Sequence, residues 1–498
     1  MPVPDELKDK RIVLITPELK TFKVRAGGLG PAVEELAKAL AEAGLNVTVI
    51  STLYKYYILD GYKKEVDYSD LELKDEGTIP VEVSGKVYPA KIYTKEKYGA
   101  KFVFLFNPEL NYAIYYGDLL KYSIFLGKGS LLALSKLGIK PDIIHMNDAQ
   151  TALVSAYAKN DPYFIRDYLK VKYAYTIHNA GFAYQQIFSQ NRLNELNLPS
   201  INWSKFVWNN NLNLMFTGIS HSDIINTVSK DYAVSLRAYG EGMKEIFNQR
   251  NVFGILNGID VDYWRDDAYK NTKNLKKVKA KKKQELIDEI KERTGKELDA
   301  EKMIVVMPRR LSGQKGFDRI HPIIPDAYNK LKVQFIVLGV SHPNDALGKQ
   351  WAEEFRKLQE KVKGFAFVYA FDEPLAKLMY AGGDLLMYPS LPNKEPCGTG
   401  YMMSMVNATP ALGTRTGGLA EVIQDFDDVL GKGNGFLVWK EEYSSEAFYR
   451  KLSIASNIFY NNKEMWRVLM KNAFNTDVRI ENAAQEYILK VYLPVIRR

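Results

Sequence analysis

At 498 residues the chain exceeds what one hydrophobic core ordinarily supports, so two domains are expected, and an apolar content of 46% is ordinary for a globular protein. No run approaches the roughly 18 apolar residues of a membrane span, and the N-terminal MPVPDELKDK is acidic where a secretory leader would not be, which predicts a soluble cytoplasmic protein with no membrane partner. One cysteine rules out an internal disulfide or a cysteine zinc cage, five histidines leave little room for a metal centre, and most of the net charge of +9 sits in one short stretch.

In chain order, residues 11–16 form a strand-like apolar run, followed by a Gly-rich loop from Arg25 through Gly27 and Gly28 to Gly30. Pro31 suits the first position of a helix in which Val33, Leu36, Ala37 and Leu40 recur at helical spacing, and residues 47–50 read as a second strand. Strand runs at 101–106, 141–145 and 173–178 continue the alternation, which argues a doubly wound parallel sheet with ligands at the strand C-termini. Tyrosine-rich stretches at 53–62 and 111–122 suit core packing, with sugar stacking as the other use.

Residues 271–283 hold seven lysines and no acid. That stretch reads as a solvated linker or helix end, and without any zinc-finger or RNA-binding motif it does not call for a nucleic-acid partner. A second series of strand runs follows at 303–307, 333–339, 365–370 and 384–388, with shorter ones at 410–412 and 435–439 and a helical segment at 483–496. The predicted organisation is an N-terminal Rossmann-like domain over 1–262, a C-terminal one over 263–475, and a terminal helix over 476–498 packing back on the first.

Arg310 and Lys315 lie in the loop after the first strand of the second half, where two cations suit a diphosphate. Glu395, ahead of Pro396, Cys397 and Gly398 and a predicted helix, offers a carboxylate for sugar hydroxyls beside backbone N–H groups that favour an anion; a bare surface turn is the alternative. The Gly-Gly turn at 417–418 adds further amides at another strand end. His145 and His178 each end a strand run, where a packed core histidine and a cleft residue are both open. No pattern marks the paired carboxylates of a glycosidase, and GxSxG, HExxH and Walker motifs are missing.

Jointly, these segments resemble the glycogen and starch synthases of the bacterial and plant type. The family's KTGGLGD loop matches residues 25–31, its HDW segment matches 145–151 around Asp148, and TxHNxxYQG matches Thr176 to Gln185 with one residue inserted. NTVSKDYA at 226–233, GILNGIDVDYW at 254–264, RLSGQKG at 310–316, AGGDLLMYPS at 381–390, EPCG at 395–398 and RTGGLAEV at 415–422 follow in the family's order. The resemblance implies an α/β protein of GT-B fold, two facing Rossmann-like domains with an interdomain cleft, that works as a retaining glucosyltransferase. Glucose would pass from ADP-glucose or UDP-glucose to the non-reducing end of an α-1,4-glucan, without metal or cofactor.

By position, the resemblance implies that Arg310 and Lys315 hold the donor diphosphate and Glu395 accepts from the donor glucose hydroxyls. Cys397, Gly398, Thr399 and Gly400 would line the sugar and distal phosphate, Arg25, Gly27 and Gly28 would serve the donor, and Phe371 would stack on the base. His178 would sit at the anomeric carbon and Asp148 beside the reacting sugar. Departures are Arg25 for lysine, Pro31 for aspartate, Ala149 for tryptophan, a two-residue longer stretch at 391–394, and Thr399-Gly400-Tyr401 after EPCG. They keep open a related transferase with another sugar or a small acceptor, and a catalytically silent glucan-binding protein. A homo-oligomer is likewise open.

Overall fold

The computed structural model describes residues 3–23, 27–59, 62–199, 203–342 and 345–498. The chain divides into two compact units: one of residues 1–58, 62–257 and 480–498, the other of 59–61 and 258–479.

The first unit is built on a nine-stranded sheet. Its strands are β1 (Arg11–Ile15), β2 (Asn46–Thr52), β3 (Lys74–Val83), β4 (Lys86–Lys97), β5 (Ala100–Phe106), β6 (Ile143–Asn147), β7 (Lys172–Ile177), β8 (Ile224–Thr227) and β9 (Phe253–Gly254). Their order is β9-β8-β7-β6-β1-β2-β5-β4-β3. Pairing is parallel from β9 to β5 and antiparallel at β5-β4 and β4-β3. Chain progression reverses between β1 and β6, so the loops after those strands open at a topological switch point. The apolar runs of β1, β6 and β7 are buried along nearly their whole length, as a sheet covered on both faces requires.

The β3–β4 hairpin was not among the predicted strands. Its exposed edge alternates charged and buried residues instead of running continuously apolar, so it lacks the signature of its neighbours. Helix α1 (Leu29–Glu42) follows β1, and it starts two residues before Pro31. Pro31 therefore occupies the third helical position, still within the first turn, where amides have no intrahelical partner. Of the tyrosine-rich stretches, Tyr54 and Tyr122 are buried and share a hydroxyl hydrogen bond of 2.7 Å.

In the second unit, helix α2 (Leu275–Thr294) precedes a six-stranded, all-parallel sheet. The strands are β10 (Met303–Pro308), β11 (Val333–Leu338), β12 (Phe365–Val368), β13 (Leu385–Tyr388), β14 (Ala411–Thr414) and β15 (Gly435–Val438), ordered β12-β11-β10-β13-β14-β15. This is the 3-2-1-4-5-6 order of a Rossmann sheet, with its switch point between β10 and β13.

The lysine-rich stretch departs from the solvated reading at two positions. Its residues 275–283 begin α2, and Lys279 and Lys283 are buried on the face that continues through Leu286 and Ile290. The terminal segment is helix α3 (Ile480–Tyr487), a π-turn at Ile488–Tyr492, and helix α4 (Leu493–Arg497); α3 packs on α1 within the first unit.

Candidate active site

In the first unit the polar residues gather after β1, β6 and β7. Asp148 follows β6 with φ 63° and ψ 173°, a backbone region that only glycine enters at no cost. Its carboxylate Oδ1 accepts from the amide N–H of His178 at 2.7 Å and from that of Asn179 at 3.4 Å. Its own amide donates to the Thr176 carbonyl at 3.0 Å. Asp148 thus ties the end of β6 to the turn leaving β7.

Burial pushes the Asp148 carboxyl up to about 7, against the downward pull of the two amides. His178 is half-buried, and its Nε2 bonds Asn147 Oδ1 at 2.9 Å. Burial holds that ring at about 3, so it is neutral at neutral pH. His145 is the core histidine of the pair: it is fully buried between Tyr492 Oη at 2.8 Å and Thr176 Oγ1 at 2.6 Å.

The amide of Gly27 donates to Glu18 Oε2 at 2.9 Å, and Gly28 caps α1. Arg25 lies outside the described residues. Glu18, buried, also accepts from the Tyr115 hydroxyl. Glu18 was not singled out in the sequence and Tyr115 only as part of the 111–122 stretch; the only signal for Glu18 is an acid placed three residues past an apolar strand.

In the second unit the loops after β10 and β13 meet. Glu395 Oε2 accepts from Lys315 Nζ at 2.6 Å, from Ser390 Oγ at 2.8 Å and from Arg309 Nη2 at 3.2 Å, so all three bonds converge on one carboxylate oxygen. Among the described residues these three donors all leave Oε1 aside. Burial alone would push the Glu395 carboxyl up, but Lys315, Arg309 and the Ser390 hydroxyl outweigh it and hold it below the ordinary range. Burial pushes the Lys315 ammonium down to about 8 against the pull of Glu395, and Arg309 and Arg310 push it the same way.

Arg310 is half-buried, and its neighbour Arg309 makes a contact to Glu395. Two glycines make the close approach of the loops feasible. A Cβ on Gly316 (φ 72°) would strike the Pro389 carbonyl, and one on Gly417 (φ 54°) would strike that of Glu395. The predicted Gly-Gly turn therefore braces Glu395 from behind.

Cys397 is buried against Gly418 and Tyr401. Gly398 adopts φ 63° over the Tyr388 ring, Thr399 caps the following helix and Gly400 begins it. That helix, Gly400–Met405, has six residues. Phe371, just beyond β12, is 47% exposed. Among the described residues no group of three or more His, Cys, Asp or Glu is arranged to hold a metal ion, and no helix is long and apolar enough to cross a membrane.

A family model for the starch synthase catalytic domain matches residues 11–249, and one for glycosyl transferases group 1 matches residues 288–473. The chain is 31% identical to a glycogen synthase of Thermotoga maritima, over 96% of this chain and 97% of that protein. The chain belongs to the glycogen and starch synthase family. Another family member, a glycogen synthase of Fervidobacterium nodosum, is 32% identical over 97% of this chain and 98% of its own length. The catalytic domain of starch synthase IV from Arabidopsis thaliana, solved with ADP and acarbose, superimposes with a TM-score of 0.83 at 25% identity, covering 98% and 100% of the two chains. Like that synthase, the protein is a glycosyltransferase with the two Rossmann-like domains of the GT-B fold.

Proposed function

We propose that the protein extends an α-1,4-glucan at its non-reducing end with glucose from a nucleoside diphosphate glucose, ADP-glucose or UDP-glucose. The observation that carries this reading is the cluster at Glu395. A buried carboxylate with three donors gathered on one oxygen, leaving the other to a ligand, suits a molecule that brings hydroxyls and a diphosphate together. The ADP bound to the plant synthase supports the nucleotide half.

In this reading Arg310 and Lys315 take up the charge that develops on the departing diphosphate, which calls for no metal. Glu395 accepts from the glucose hydroxyls, the 397–400 backbone lines the sugar and distal phosphate, Arg25, Gly27 and Gly28 serve the donor, and Phe371 offers a face to the base. At the reacting carbon the carbonyl of His178 steadies positive charge, and its neutral ring adds no repulsion. Asp148 holds the turn that presents both groups. The acceptor hydroxyl enters on the face from which the diphosphate leaves, so retention needs no paired carboxylate nucleophile.

Purified protein given each donor with and without glycogen is expected to release nucleoside diphosphate only when glycogen is present, undiminished by a chelator. Lys315→Ala and Glu395→Ala are each expected to cut turnover at least a hundredfold, on the order of 3 kcal/mol of barrier, with the fold intact. Full activity in both variants would sink the residue roles. Release from neither donor, with glycogen or with short glucans, would sink the reading itself.

A further inference from the structure

Arg309 precedes the Arg310 to Lys315 segment, and its side chain is more deeply buried than that of Lys315. Its side chain is 5% exposed, and its guanidinium carbon lies 3.8 Å from the centroid of the Tyr388 ring. Nη2 donates to Ser390 Oγ at 2.9 Å and to Glu395 Oε2 at 3.2 Å, while Nε and Nη1 are buried without a hydrogen-bond partner among the described residues. Burying a cation with unmade bonds is costly, and a site that tolerates it has a use for the charge.

Lys315 faces two demands. Its ammonium bonds Glu395 at 2.6 Å, and in the proposed function it also serves the donor diphosphate. An ammonium drawn to phosphate loosens its hold on the carboxylate, and a buried carboxylate left without a counter-ion takes up a proton. A protonated Glu395 would lose an acceptor for the sugar hydroxyls.

We propose that Arg309 is a positioning residue: it keeps Glu395 ionised and anchored through Oε2 while Lys315 is engaged by the diphosphate, so that Oε1 stays available to the sugar. A guanidinium suits the task because it does not deprotonate and its plane rests on an aromatic face. The other groups packed around Glu395 cannot substitute. Ser390 is uncharged, Tyr388 is kept protonated by burial, and Cys397 offers only a thiol. The inference rests on the proposed role of the site as a donor pocket.

The test counts protons exchanged when ADP binds, by calorimetry near pH 6 in buffers of different ionisation enthalpy, with UDP as a parallel arm. Removing an opposite charge raises a carboxylate by about 1–3 pH units, so Arg309→Met is expected to take up a further fraction of a proton, approaching one, beyond the unsubstituted protein. Arg309→Lys is expected to abolish the extra uptake, as is adding Glu395→Gln to the methionine variant. Arg309→Gln, which keeps an N–H donor and drops the charge, makes the same test if the methionine variant does not fold. No extra uptake in either neutral variant overturns the inference. So does a tenfold loss of ADP affinity without extra uptake, since Arg309 would then hold the phosphate itself. Failure of the unsubstituted protein to bind ADP or UDP would instead overturn the proposed function.

Discussion

Asp148 combines a strained backbone with a buried acid. A φ of 63° with ψ of 173° costs a residue bearing a Cβ about 1–3 kcal/mol, and the amides of His178 and Asn179 bonded to its carboxylate help to offset that cost. Burial raises its carboxyl from the ordinary 3.8 to about 7. Because the folded pKa is raised, the protonated acid's contribution is fully present below the unfolded pKa and is lost as pH rises through the folded one. Asp148→Asn keeps an acceptor for both amides and cannot ionise. Its urea midpoint is expected to gain on that of the unsubstituted protein between about pH 4 and about pH 8, while Asp148→Ala, which loses the acceptor, is expected to be less stable at both. A pH-independent difference between the Asn variant and the unsubstituted protein would refute the burial argument. Asp148, His178, Lys315 and Glu395 could be picked out in the sequence because each is a polar residue just beyond an apolar run or in a motif loop. Arg309 stands just past the same run as Arg310, and Tyr115 lies in a tyrosine-rich stretch, but the carboxylate that each meets is 86 or 97 residues away and is not visible in the sequence.

At the scale of elements, α2 shows why counting charges misleads. Seven lysines in thirteen positions look uniformly solvated, yet a helix turns every fourth residue to the same face. Lys279 and Lys283 therefore share the buried face with Leu286 and Ile290, while Lys276, Lys277 and Lys281 stay exposed. Lys279 Nζ reaches the carbonyls of Ala381 at 2.8 Å, Gly383 at 3.0 Å and Asn407 at 3.0 Å, and the Thr409 hydroxyl. It thereby satisfies carbonyls around the C-terminus of the helix at Glu373–Gly382, where a cation is favoured. Burial pushes its ammonium down to about 7, with Asp384 pulling the other way. Lys279→Met keeps the chain length and removes the donor. Stranding buried acceptors costs about 1–3 kcal/mol each when no water replaces the bond, so a loss of more than about 2 kcal/mol is expected by chemical denaturation, against under about 0.5 kcal/mol for Lys276→Met. Equal effects would mean that the carbonyls find other partners. The missed β3–β4 hairpin has the opposite cause: an edge exposed on one face does not need the continuous apolar run that marked the other strands.

For the whole molecule, the alternation of apolar runs and helices was enough to read two Rossmann-like sheets, because parallel strands buried on both faces must be continuously apolar. Alternation does not itself encode which unit a terminal segment joins, although 476–498 was expected on the first domain, since that is decided by side chains meeting from opposite ends of the sequence. Residues 480–498 belong to the first unit, where Ala484, Tyr487, Ile488, Val491 and Tyr492 enter the core. The two tyrosine hydroxyls find hydrogen-bond partners inside that core. Tyr492 Oη bonds His145 Nδ1 at 2.8 Å, and Tyr487 Oη accepts from Asn226 Nδ2 at 3.1 Å. Both routes converge on Thr176, whose hydroxyl meets His145 Nε2 at 2.6 Å and Asn226 Oδ1 at 2.9 Å and whose carbonyl receives the Asp148 amide. Thr176 stands two residues before His178, so the terminal segment supports the strand end that presents the proposed catalytic turn. Replacing Tyr487 and Tyr492 by phenylalanine preserves packing and strands buried partners on His145 and Asn226, at a cost of about 1–3 kcal/mol each. The double variant is expected to melt lower in calorimetry and to lose turnover more than nucleoside diphosphate affinity, because its damage lies in the first unit and the proposed diphosphate residues Arg310 and Lys315 lie in the second. A chain ending at Arg479 is expected to lose the first unit's transition altogether. If it kept that transition, or if the two hydroxyls proved dispensable for both melting and turnover, the buried network would be incidental to the turn it underlies.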